Sequence, residues 1–246
     1  MKSRHLGKAC ALSLAREGAD VVINGLHQDR LDSAQRELQA LGAGQVTAVL
    51  ADITTQTGRA ALIDACPDAD ILINNNEGPP PGQFAKWQRE DFQAAIDANF
   101  MAPVFMIQAL LEGMKSRRFG RIVNITSAMV KSPRGPMGLS TSARSGLTAM
   151  CKGLSVEVAP FNVTINNMLP ERFDTDRQQF MAQMAMQMKG ISKAEAIAEI
   201  EASIAAKRMG QPSEFGDACA FLCSAQAGFI SGQNLQLDGG SYPGLI

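Results

Sequence analysis

Three side chains in the run RIVNITSAMVKSPRGPMGLSTSARSG (121–146) have types and spacing suited to chemistry on a polar bond. Ser127 precedes Ser140 by thirteen positions, and Arg144 follows four later, about one helical turn on. A hydroxyl can orient a substrate oxygen, and a guanidinium can grip hydroxyls with fixed positive charge. Neither is a ready proton donor. A serine hydroxyl is far less acidic than a phenol, and arginine keeps its proton near neutral pH. A nucleophilic serine needs an adjacent base, and none is evident beside Ser140, so a helix-start serine is the plainer reading. The single tyrosine, Tyr242, lies near the C-terminus.

These residues need a frame, and the hydrophobic pattern supplies one. Helices are predicted at 7–18, 28–41, 55–66, 89–116, 139–159, 176–206 and 211–224. Between them lie the short apolar runs ADVVING, VTAVLAD, DILIN, RIVNIT, NVTINNML and NLQLDGG. Such strands, without alternation and separated by helices, indicate a parallel sheet covered on both faces. A doubly wound sheet opens with a strand, a glycine-rich turn and a helix. Here MKSRHLG runs almost directly into the helix, so the usual first strand is lacking. No repeat, linker or low-complexity tract divides residues 1–246, which read as one domain.

Bulk properties exclude several classes. The 246 residues are 46% hydrophobic, enough for a substantial core, and the net charge is −1. Interspersed acids and bases argue against nucleic acid or an anionic membrane as partner, and Lys115, Arg117, Arg118 and Arg121 read as a solvated helix end. The five cysteines have no zinc-type spacing and read as buried free thiols. No signal peptide is seen, and no apolar run is expected to reach the roughly 18 residues of a membrane span. A cytoplasmic protein is the default expectation.

Asn74, Asn75, Asn99, Ser127, the spacing to position 140 and the C-terminal run FISGQNLQLDGG together resemble the short-chain dehydrogenase/reductase family, over residues 3–246. The runs GPPPG, GLSTSARSGLT and FDTD resemble a divergent branch similar to bacterial 3-oxoacyl-carrier-protein reductases. The resemblance implies an α/β Rossmann-type fold and an NADP(H)-linked carbonyl or alcohol oxidoreductase. It implies catalytic positions at Ser127, which would orient the substrate oxygen, Asn99, which would hold a relay water, and Ser140 and Arg144. The last two stand where the family has tyrosine and lysine. Cofactor contacts are implied for Ser3, Arg4, Gly7, Asp52, Asn75, Arg144 and Thr175, and no metal is expected. Asn24-Gly25-Leu26 offers no carboxylate for a ribose 2′-hydroxyl, which argues against NAD.

His5, Glu77 and Glu171 replace family glycines on the cofactor side. Their concentration on one surface favours altered or lost dinucleotide binding over scatter. Two alternatives follow: a non-redox lyase, hydratase or hydrolase using His5, Glu77 or Glu171, or a catalytically silent subunit beside an active relative. The resemblance also implies a lid at about 176–206. Its Phe180, Met181, Met184, Met186 and Met188 suit a small apolar carbonyl or alcohol, or packing against the core or a neighbour. It implies a homo-oligomer, dimer or tetramer, built through the helices at 89–116 and 139–159.

Overall fold

The structure, a computed structural model, describes residues 5–42 and 44–245. Helices and strands alternate as α1 Leu6–Arg16, β1 Val21–Gly25, α2 Gln28–Gln39, β2 Val46–Leu50, α3 Gln56–Ala65, β3 Ile71–Asn74 and α4 Arg89–Ile96. Then follow α5 Ala102–Arg117, β4 Gly120–Ile125, α6 Gly138–Val158, β5 Val163–Pro170, α7 Asp176–Lys189, α8 Lys193–Ala202, α9 Pro212–Cys223 and β6 Asn234–Leu237. All strand pairs are parallel. The predicted 176–206 helix is two, because Gly190 adopts a left-handed conformation and Ser192 opens α8 with a capping box.

Successive residues of the buried strands face opposite layers. Ile122 packs with Met106, Ile107, Leu110, Leu147 and Cys151 on one side. Val123 and Ile125 pack with Cys10, Phe215 and Cys219 on the other. On that second side α1 and α9 touch closely, since a Cβ at Gly216 would lie 2.4 Å from the Ala9 carbonyl oxygen. Helices thus cover both faces, as a doubly wound sheet requires.

The strands form two groups, β1-β2 and β3-β4-β5-β6. In the doubly wound order a first strand would lie between β1 and β3. Among the described residues no strand pairs there. Helix α1 bridges both groups, packing Leu6, Cys10 and Leu14 near Ile71 and Ile73, and Ala11 and Ala15 near Val21. Val21 N–H bonds to Gln45, so the backbone groups of Val22 and Asn24 face away from β2. Likewise Arg121 N–H bonds to Asp70, so those of Ile71 and Ile73 face away from β4.

A line of asparagines crosses the four-stranded group in register. Asn74 Nδ2 donates to Asn124 Oδ1 (2.9 Å), Asn124 Nδ2 to Asn167 Oδ1 (3.0 Å), and Asn167 Nδ2 to Asn234 Oδ1 (2.8 Å). All four are register partners of one another in turn.

One sequence expectation is corrected. Arg89–Arg117 is a continuous helical stretch long and apolar enough, by length and composition, to cross a membrane. Its apolar character has a core function: Met106, Ile107, Leu110 and Met114 are buried against β4 and β5.

Candidate active site

The site is organised by a flaw in that long helix. Between α4 and α5, residues Asp97–Met101 form a π turn, and Asn99 sits inside it, buried. Such turns insert one extra residue and re-aim a side chain out of the helical pattern. Asn99 Nδ2 donates to the carbonyls of Ala95 (3.4 Å) and Glu77 (3.3 Å). Its Oδ1 accepts from Arg144 Nη2 at 2.8 Å.

Arg144, on α6, is the hub. Besides Asn99, Nη2 donates to Asn76 O (3.2 Å), while Nη1 donates to Ile125 O (3.2 Å) and to Thr126 O. All four Nη hydrogens therefore have protein acceptors, and the buried Nε has none among the described residues. The guanidinium is tied to the end of β4, the 76–78 segment and the π turn at once. Burial, and secondarily the charge of Arg177, lowers it from 12.5 to about 10.

Ser140 lies one turn before Arg144 and is buried. Gly78 packs beside both: a Cβ there would lie 3.2 Å from Arg144 Nη2 and 3.6 Å from Ser140 Oγ. Ser127 directly follows Thr126, one of the Arg144 acceptors. It opens the 3-10 turn Ala128–Val130, and its Oγ accepts from Met129 N–H at 3.2 Å. A cavity of about 300 Å³ opens alongside, lined by Glu77, Gly78, Trp87, Asp91, Asn99 and Leu139.

Other sequence candidates lie around this centre. Gly7 meets Asn75, whose Nδ2 would be 2.7 Å from a Cβ at position 7. Asp52 Oδ1 accepts from the amide and hydroxyl of Thr54, so the side chain shapes the turn after β2. Thr175 is the N-cap of α7, its Oγ1 accepting from Gln178 N–H. Ser3 and Arg4 lie outside the described residues.

Of the three residues that replace family glycines, two have charged partners in different places and the third is exposed. His5 Nε2 lies 3.6 Å from Asp176 Oδ2, Glu171 Oε1 accepts from Arg134 Nη2 at 2.6 Å, and Glu77 is exposed. Among the described residues no three His, Cys, Asp or Glu side chains group as metal ligands. Tyr242 stands apart from the hub, its ring 5.5 Å from Lys131 Nζ.

Known proteins resemble the chain along nearly its whole length. A family profile described as enoyl-(acyl carrier protein) reductase matches residues 1–242. The chain is 33% identical to the NADPH-dependent reductase BacG of Bacillus subtilis (strain 168), over 99% of this chain and 96% of that protein. The chain belongs to the short-chain dehydrogenase/reductase family. Two crystal structures share its fold. YwfH, an NADPH-dependent reductase involved in bacilysin biosynthesis, superposes with a TM-score of 0.90 at 31% identity, covering 98% of this chain and 95% of that one. The L-sorbose reductase of Gluconobacter frateurii, complexed with NADPH and L-sorbose, gives 0.93 at 26% identity, covering 98% and 94%.

The residues present fit a dinucleotide at the start of α1. His5 makes no side-chain cap bond there, so among the described residues no capping side chain takes the first-turn N–H groups that a phosphate would use. Gly7 and Asn75 bring backbone and side chain close together beside that turn. Leu26, past the end of β1, is 63% exposed and places no carboxylate against a 2′-phosphate.

Sequence reasoning missed three participants. The Asn76 carbonyl, Trp87 and Arg177 join the site only through tertiary contact. One signal was present: Asn76 follows Asn74 and Asn75 in one polar run, and its Nδ2 ties the segment to Ala98 O at 3.0 Å, against the π turn.

Proposed function

We propose that this chain is an NADP(H)-linked carbonyl or alcohol oxidoreductase that works without the usual phenol. One observation carries the reading. Asn99, Ser140 and Arg144 meet the 76–78 segment beyond the C-terminal ends of β3 and β4, where doubly wound sheets take their ligands. The uncapped start of α1 suits the phosphates, with Gly7 and Asn75 beside it. Asp52 reaches the adenosine end and Thr175 the nicotinamide end in this reading. A bound nicotinamide supplies or accepts the hydride.

The chain's own residues do the rest. Ser127 orients the substrate oxygen. Asn99 stays fixed by Arg144 and the Ala95 and Glu77 carbonyls. Arg144 contributes positive charge and rigidity, since its Nη hydrogens are committed. The proton at the substrate oxygen passes through a serine hydroxyl or water, so turnover is slow relative to a tyrosine enzyme. Helices α7 and α8 act as the lid, offering Phe180, Met181, Met184 and Met188, all exposed. The domain is a single one and assembles as a homo-oligomer.

Calorimetric titration with NADPH and NADH tests the reading. Micromolar NADPH binding, tighter than NADH, is expected. Absence of binding at millimolar NADPH refutes it. If cofactor binds, the double variant Ser140→Tyr, Arg144→Lys should raise turnover of a simple ketone, and an unchanged rate would place the deficit elsewhere.

A further inference from the structure

The cavity that Asn99 lines has charge of one sign only. Of the side chains around it, Glu77 and Asp91 alone are charged, and both are acids. The basic residues nearby stay out of it. Arg144 and Arg177 bond to the carbonyls of Asn76, Gly78 and Pro79, and Lys86 and Arg89 are close to Trp87 and Asp91 in sequence. None of the four lines the cavity. Nor are the two acids spent on protein partners. The Glu77 carboxylate has no hydrogen bond or ion pair among the described residues. Asp91 accepts from the Gln88 N–H through Oδ2 at 2.8 Å, which leaves Oδ1 over.

The rest of the wall is neutral and mostly apolar. Three consecutive prolines (79–81), Leu139 and the indole of Trp87 supply it. Trp87 is steadied by edge-on contacts with Phe84 and Phe92, whose ring centres lie 6.2 and 6.0 Å away. Two like charges on one concavity with apolar walls concentrate a negative field there, and that field draws in the opposite charge. An indole wall adds to the effect, because its π face attracts a cation. An anion would meet repulsion from both acids, and a neutral ligand would gain nothing from them. A volume of about 300 Å³ suits a small molecule.

We infer that the substrate is a carbonyl compound or alcohol bearing a protonated amine, its cation held by Glu77 and Asp91 against Trp87. The inference rests on the oxidoreductase reading for the reaction, while the cation preference stands on the cavity alone. It gives the apolar substrate expected from the methionine-rich lid a positively charged end.

The test uses Trp87, the only tryptophan of the chain. Cofactor-free protein is titrated with three methyl ketones of matching shape, following Trp87 fluorescence and calorimetric heat. They are 5-(dimethylamino)pentan-2-one, a cation; 6-methylheptan-2-one, neutral; and 5-oxohexanoate, an anion. The cation is expected to bind about tenfold more tightly than the neutral ketone, and the anion more weakly than either. Glu77→Gln and Asp91→Asn should each cut that preference about threefold with the melting temperature retained, and Glu77→Lys should turn it toward 5-oxohexanoate. Equal binding of the three, tightest binding of 5-oxohexanoate, failure of all three at millimolar concentration, or a preference unchanged in both Glu77→Gln and Asp91→Asn overturns the inference. A parallel assay of NADPH oxidation separates the two readings. Turnover of all three ketones at one rate keeps the reductase and removes the cation site. Cation-selective binding that is weakened in Glu77→Gln, with no NADPH binding, keeps the cation site and removes the reductase.

Discussion

Replacing Asn124 by leucine tests whether the asparagine line holds the sheet, and with it the Asn74–Gly78 segment that frames the site. Asn124 is fully buried, gives hydrogens to Asn167 Oδ1 and Cys151 Sγ, and accepts from Asn74 Nδ2. Leucine has nearly the same shape but no polar atoms. It leaves Asn74 Nδ2 and Asn167 Oδ1 unpaired inside the sheet, at about 1–3 kcal/mol each. Burying the new methyl groups returns about 1–2 kcal/mol after imperfect fit. The net loss is about 0–5 kcal/mol, centred near 2–3 kcal/mol, against the roughly 5–15 kcal/mol by which a domain is stable. Urea unfolding should show a lower Cm with an unchanged m value. The decisive measurement is the cycle with Asn167→Leu. In the double variant the 124–167 contact becomes apolar on both sides, so it should be about 1–3 kcal/mol more stable than the sum of the singles predicts. Strict additivity would refute the line as a connected hydrogen-bonded unit.

Two further outcomes follow from the geometry. The amides of Val22, Asn24, Ile71 and Ile73 face the interval between β1 and β3 and should exchange with deuterium at least about a hundredfold faster than those of Val21 and Leu72. Equal protection would mean that another segment pairs there. Glu214 is held down to about 2 by its hydrogen bonds to the Arg208 guanidinium and the Gln211 N–H, so it contributes stability above the ordinary 4.5 that is lost as pH falls through about 2. Melting curves of Glu214→Gln should meet those of the unaltered protein near that lower pH and fall below them above pH 4.5, by a small and salt-sensitive margin because the pair is exposed. Curves that stay parallel across that window would refute the assignment.

How much of this was legible in the sequence depends on the range of the forces involved. Strands such as RIVNIT and helices such as 89–116 announced themselves, because burial on one or both faces writes a local pattern. The run MKSRHLG leads almost directly into a helix, and among the described residues no strand pairs with the facing edges of β1 and β3. The expectation that no apolar run would reach the length of a span failed for the same reason that the helix was found. A helix buried along one side in a protein core and a spanning helix satisfy the same local count of apolar residues. The π turn at Asn99 and the division at Gly190 depend on backbone choices that periodicity averages away.

Arg144 shows where sequence reading stops. Its spacing from Ser140 was visible, and the family pattern offered it the cofactor ribose as partner. Four oxygens from three distant segments take its Nη hydrogens in this structure. A lysine ammonium has three hydrogens on one atom and could not serve four acceptors spread around a planar fork. Arginine at 144 therefore suits a structural part that lysine could not fill. It couples the end of β4, the π turn and the 76–78 segment into one rigid wall. Ser140, small enough to leave space beside Gly78, then keeps that wall open to a ligand instead of filling the space with a phenol ring. The two substitutions make sense together: one ties three segments of the cleft into a single wall, and the other keeps a phenol ring out of the space beside that wall.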